Sequence, residues 1–148
     1  MNPVLQTIFT PPHGNCLQAC IASILELPLE EVPNFMQFPD QWLPRYEHFL
    51  RTHNLQPVHI RFDGKTPDWE PWGYHLISVK SPRGDYDHSL VGYQGKPVHD
   101  PFPGGECVGE VIGWELLVSV NPQFGDAEYK IRCIDKLWYG PKYCRRNT

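Results

Sequence analysis

The sequence has no run of basic residues long enough to track a nucleic-acid backbone. Thirteen Lys and Arg stand against seventeen Asp and Glu, a formal net charge of −4 over 148 residues. The one basic cluster, Lys142, Arg145 and Arg146, reads as a solvated tail. Neither nucleic acid nor an acidic membrane surface is therefore expected as a partner. No apolar stretch is long enough to cross a bilayer, and Met1–Gln6 has no positive n-region, so no signal peptide is expected. Close zinc-type pairs such as CxxC are missing, His13-x-x-Cys16 being the nearest approach. The cysteines, Cys16, Cys20, Cys107, Cys133 and Cys144, are odd in number and scattered. That argues for reduced thiols in a cytoplasm rather than a disulfide framework. There is no internal repeat and no low-complexity segment, and the length suits one domain over residues 1–148.

What is present points to a mixed fold. Sixteen Pro and twelve Gly imply many turns and speak against an all-helical bundle. The arm up to Pro12 reads as extended, and Pro11-Pro12-His13-Gly14-Asn15 as a loop in which Gly14 allows a sharp turn. From Cys16, the residues Leu17, Cys20, Ile21, Ile24 and Leu25 recur at helical spacing, with Asn15 as N-cap and Pro28 beyond the end. Glu30–Pro33 reads as a turn or a 3₁₀ segment. A second helix is predicted from an Asp40 cap to about His53, with Trp42, Leu43, Tyr46, Phe49 and Leu50 facing inward. Beyond it the period shortens. Strands are predicted over Gln56–Phe62, Tyr74–Val79, Ser89–Tyr93, Pro97–His99, Trp114–Val120 and Tyr129–Ile134, with a tight hairpin at Tyr93–Lys96. Helices first and strands after define an α+β class, with helices packed on a mostly antiparallel sheet.

Within this frame Cys16 stands where a loop becomes a helix. The free N–H groups and dipole of a first helical turn stabilise a thiolate, and the same groups can hold an oxyanion. Gly14 removes a side chain where a substrate backbone would approach. A thiol nucleophile needs a base, and the base needs an orienting partner. His88 heads an apolar strand and Asp100 ends the next one, so a tight hairpin between them brings both to the same end of the sheet. Periodicity does not say that Cys16 packs against that end.

Other readings compete for the same residues. Cys16 could be a small buried hydrophobe, and Cys20, one turn on, reads as core. A metal site would draw on His13, Cys16, His88 and His99, but no metal is the preferred reading. His75 is the rival base; its neighbours alternate as in a strand, which favours a strand histidine, with substrate contact as its functional alternative. His99 is expected to point away from the site. Asp85 and Asp87 read as solvated turn residues. Arg83, in Ser81-Pro82-Arg83-Gly84, sits in a turn from which a guanidinium can clamp a substrate carboxylate or phosphate. Trp42, Trp69, Trp72, Tyr74 and Tyr93 read as core or as the lining of a groove.

The run Gly14-Asn15-Cys16-Leu17-Gln18-Ala19-Cys20-Ile21-Ala22-Ser23, followed by His88 and then Asp100-Pro101, resembles papain-like cysteine peptidases. It is most similar to the branch that includes the bacteriocin-leader-processing peptidases of ABC exporters. The chain is also similar to small proteins of phages and prophages that carry GNC, SPRG and HDP segments, here Gly14–Cys16, Ser81–Gly84 and His99–Pro101. The resemblance spans Gln6 to Pro103. It implies a papain-like fold and a Cys16–His88–Asp100 triad. It further implies an oxyanion hole that takes Gln6 as its upstream Gln, with Asn15 or backbone N–H groups as the alternative. A peptidase, amidase or isopeptidase follows, hydrolytic or acyl-transferring and without cofactor, acting on a peptide, a protein or a small amide. The non-catalytic alternative is a papain-like binding module, such as a phage-encoded antagonist of a host protein.

Overall fold

Apolar spacing and chain breakers set the two helices. The computed structural model describes residues 1–120. The expected strand Tyr129–Ile134, together with Cys133, Cys144 and the basic cluster at Lys142, Arg145 and Arg146, lies outside the described residues. Helix α1 spans Cys16–Leu25 and buries every residue from Leu17 to Ser23. It stops two residues before Pro28, where Glu26 adopts the left-handed conformation (φ 57°) and returns its N–H to the Ala22 carbonyl. Helix α2 spans Trp42–Thr52 and buries Tyr46 and Leu50. Asp40 is not its cap: it lies in a short 3₁₀ turn, Pro39–Gln41, and Gln41 takes the N-cap position.

Among the described residues five strands follow the helices: β1 Leu55–Arg61, β2 Tyr74–Lys80, β3 Asp87–Tyr93, β4 Lys96–His99 and β5 Val111–Ser119. They form one sheet in the order β1-β5-β2-β3-β4, with every pairing antiparallel. The class is α+β, as the order of sequence patterns indicated. The hairpin between β3 and β4 turns on Gln94 and Gly95, both at positive φ, the requirement of a two-residue turn matched to strand twist. β5 corresponds to the strand expected over Trp114–Val120, but its place between β1 and β2 is not contained in local pattern.

Alternation along the strands divides the sheet into two faces. Leu76 and Val91, paired across β2 and β3, pack with Leu17, Cys20 and Ile21 of α1 and with Tyr46 and Leu50 of α2. Ile77, Val79, Leu90 and Trp114 gather instead with Phe62 and Cys107 in a second, smaller cluster. Each large apolar side chain fully buried here stabilises the fold by about 1.5–3 kcal/mol. On the helix-bearing face α1 lies over β3 and α2 over β1. Two helices so placed leave the middle of the sheet open between them.

Candidate active site

The opening between the helices is a cavity of about 580 Å³, lined among others by Gln6, Gly14, Cys16, Arg83, His88 and Glu115. Cys16 is the first residue of α1, and no side chain caps that helix. The N–H groups of a first turn have no intrahelical partner, so the thiol stands beside unclaimed donors.

His88 is the second residue of β3, beyond the reach of β4, whose pairing to β3 begins at Val91. The edge of β3 is thus free of a strand neighbour at His88, and there the start of α1 and the chain leaving β4 converge. His88 Nε2 lies 2.8 Å from Asp100 Oδ1, and both side chains are buried. Asp100 is itself held, its Oδ1 accepting the Phe102 N–H at 2.9 Å. Cys16 lines the same cavity as His88 and Ser89 and is near enough to the ring for each to shift the other's pKa. Burial alone would push the Cys16 thiol up; His88 and Ser89 outweigh it and hold the thiol below its ordinary value of 9.0. Burial alone would pull His88 down; Cys16 and then Asp100 outweigh it and hold the ring above its ordinary 6.5. The two shifts run in the directions that a thiolate–imidazolium pair would show.

One strap holds both halves of this arrangement. The N-terminal arm bonds to α1 through Val4 N–H to Ser23 Oγ (2.9 Å) and to the loop behind Asp100 through Gln6 N–H to the Pro101 carbonyl (2.8 Å). Asn15 ties the arm to the helix start. Its Oδ1 accepts the N–H groups of Thr7 and Ile8, while its amide donates to Thr7 Oγ1 and Gln18 Oε1. Asn15 is therefore neither the side-chain cap nor an oxyanion donor, because its amide hydrogens are engaged in the fold and it does not line the cavity. Gln6 does line it, buried, with Nε2 donating to the Ile8 carbonyl at 3.1 Å and Oε1 without a partner.

The remaining sequence candidates separate cleanly. Gly14 lines the cavity, but its φ is not positive, and an added Cβ would make only an ordinary contact, 3.6 Å from the Ile8 carbonyl oxygen. The sharp turn expected of Gly14 is thus not what requires glycine there. Arg83 also lines the cavity, with its guanidinium 3.8 Å over the Phe102 ring. His75 does not reach the cavity. It is fully buried in β2 beneath Gly92, with Nδ1 on the Gly73 carbonyl at 3.0 Å, and burial lowers its pKa.

His13 and His99 bond to the Met36 and Val4 carbonyls, and among the described residues no group of three or more His, Cys, Asp and Glu is arranged for a metal. Asp87 pairs with Arg61 and Lys80 rather than with His88. Cys20 is core, its thiol donating to the Ser89 carbonyl and pushed well up by burial. The aromatic group divides: Trp42 lines the main cavity, and Trp69, Trp72 and Tyr74 border a smaller one of about 260 Å³ against β5.

A polar cluster that sequence reasoning missed lies on the cavity floor. Glu115, at the middle of β5, is the cross-strand partner of both His59 on β1 and Leu76 on β2. Its Oε2 is 2.6 Å from His59 Nδ1, and its Oε1 accepts the Tyr46 hydroxyl. The available signal was a lone acid in the apolar strand Trp114–Val118.

Compared with known proteins, the chain matches no family model, no curated protein and no solved structure.

Proposed function

We propose that the protein is a cysteine-dependent hydrolase or acyl transferase of papain-like design, acting on an amide, isopeptide or thioester bond. One observation carries the reading: His88, bonded to the buried Asp100 carboxylate, lines one cavity with Cys16, whose helix start has no side-chain cap. This is the constellation of nucleophile, base and orienting acid.

The Cys16 thiolate attacks the substrate carbonyl carbon. N–H groups of the first turn of α1, with Gln6 beside them, receive the oxyanion. His88 gives its proton to the leaving amine or thiol as the acyl–sulfur bond is completed. Water, or an amine in the transferase variant, then attacks the thioester. His88 takes the proton of this second nucleophile and the thiolate is released. Asp100 fixes the ring orientation throughout, and no organic cofactor enters. Peptides, proteins and small amides are the substrate class. Among the described residues Cys16, Cys20 and Cys107 form no disulfide with one another, which suits a reducing cytoplasm. Among the described residues no helix is long and apolar enough to cross a membrane.

The test is capture of the acyl-enzyme. Incubation with p-nitrophenyl acetate should give a burst of nitrophenolate and one acetyl group, mapped by peptide mass spectrometry to Cys16. Cys16→Ser should abolish both. Acetylation spread evenly over several cysteines would overturn the reading.

A further inference from the structure

The cavity has a second polar pole that the reaction above does not use. Glu115 sits in an interior strand, and its carboxylate is buried on the floor between α1 and α2. Taking a carboxylate out of water costs several kcal/mol, and an apolar residue at such a place is often the more stable choice. Both of its oxygens are occupied, one by Tyr46 from α2 and one by His59 from β1. What this arrangement presents to the cavity is not the acid but His59. Its Nδ1 is fixed by Glu115, its side chain is 44% exposed, and Nε2 has no partner among the described residues. Tyr46 is fully buried, so the prop behind the pair is rigid.

The electrostatic balance says what such a ring would receive. Asp87, the other acid lining the cavity, is already paired with Arg61 and Lys80. Arg83 has no acid partner among the described residues. The bond to Glu115, though opposed by partial burial, raises the His59 pKa from its ordinary 6.5 and so favours the protonated ring, the form in which Nε2 donates. The side chains left to meet an anion in the cavity are therefore the Arg83 guanidinium and the outer nitrogen of the His59 ring, in a chain whose formal charge is −4.

We propose that His59, held by Glu115 and Tyr46, is the recognition pole of the cleft and binds a carboxylate on the substrate. The assignment rests on the reading of Cys16 as nucleophile and narrows its substrates to acyl compounds that carry a free carboxylate within reach of the cavity floor.

The test uses two alkylating probes of equal reach, N-bromoacetylglycine and N-bromoacetylglycinamide, which differ only in the carboxylate. In each, the Cys16 sulfur displaces bromide from the methylene carbon. The acid-to-amide ratio of Cys16 alkylation rates cancels any general change in thiol reactivity, and any attraction of the acid to His88 is common to wild type and variant. His59→Gln should lower this ratio about tenfold, as expected for loss of one charge-assisted hydrogen bond. A ratio unchanged by His59→Gln overturns the proposal. If neither probe labels Cys16 faster than an ordinary thiol, the nucleophile reading is what has failed. The subsite is then decided in the Cys16→Ser protein by following the His59 ring resonances by NMR. N-acetylglycine should raise the His59 pKa while N-acetylglycinamide leaves it in place; equal effects of the two, or none, overturn the subsite.

Discussion

The His88 imidazole and the Asp100 carboxylate, twelve residues apart in the chain, meet at 2.8 Å in a buried hydrogen bond where β3, still paired with β2, is no longer paired with β4. That bond leaves one ring nitrogen for Cys16. It makes the geometry of Asp100 as consequential as its charge, and this can be separated experimentally.

Gly105 lies against Asp100, and a Cβ built there would fall on the carboxylate. Gly105→Ala should therefore displace Asp100 without touching any group that contacts substrate. A displacement of about 1 Å in such a constellation can cost roughly 10²-fold in rate. We expect turnover of an activated ester to fall by that order while the melting temperature moves little. Gly104→Ala is no control for this, because Gly104 has φ +72° and a side chain there is strained whatever the space.

Among the described residues, Gln6 is the one side-chain amide that lines the cavity beside Cys16. If it completes the oxyanion site, Gln6→Ala should lower kcat by about 10²–10³-fold and leave the alkylation rate of Cys16 by iodoacetamide nearly unchanged, because alkylation develops no oxyanion. Rate constants for both reactions on one preparation give the answer.

Cys20 donates its thiol to the Ser89 carbonyl at 3.3 Å, and burial pushes its pKa well up. Cys20→Ala should leave acylation of Cys16 in place and cost only a modest loss of stability, about 1 kcal/mol for the lost contact and hydrogen bond. Denaturant unfolding and the ester burst are the two readouts.

The floor cluster makes a prediction about stability alone. Tyr46→Phe leaves the buried Glu115 carboxylate short of a partner and should destabilise by about 1–3 kcal/mol. The double variant Tyr46→Phe/Glu115→Leu removes both the donor and the charge. It should recover that loss or exceed wild-type stability, by up to ~4 kcal/mol. Urea unfolding of the three proteins decides it; a double variant less stable than Tyr46→Phe would mean that the acid is there for the fold.

Much of this was legible in local sequence, for physical reasons that also set the limit. The helix from Cys16 is written in the three–four spacing of Leu17, Cys20, Ile21 and Ile24, and its end in Pro28. The hairpin between His88 and Asp100 is written in Gln94-Gly95. Such signals act over one turn or one pair of strands. The meeting of Cys16 with His88 depends on how α1 packs over β3, and the joining of His59 to Glu115 depends on β5 entering between β1 and β2. Neither is a local property. Asn15 was misjudged because its side chain has a choice between the helix N–H groups and those of Thr7 and Ile8, and the arm, distant in pattern, wins.

The pH dependence of Cys16 alkylation tests the central claim most directly. His88 holds the thiol below 9.0 against the opposing effect of burial. The rate with iodoacetamide should therefore rise at a pH clearly below that value in the wild-type protein. In His88→Ala the acid limb should move up to 9.0 or beyond, since burial then acts unopposed by the ring. A single profile shared by wild type, His88→Ala and a denatured control would contradict the account.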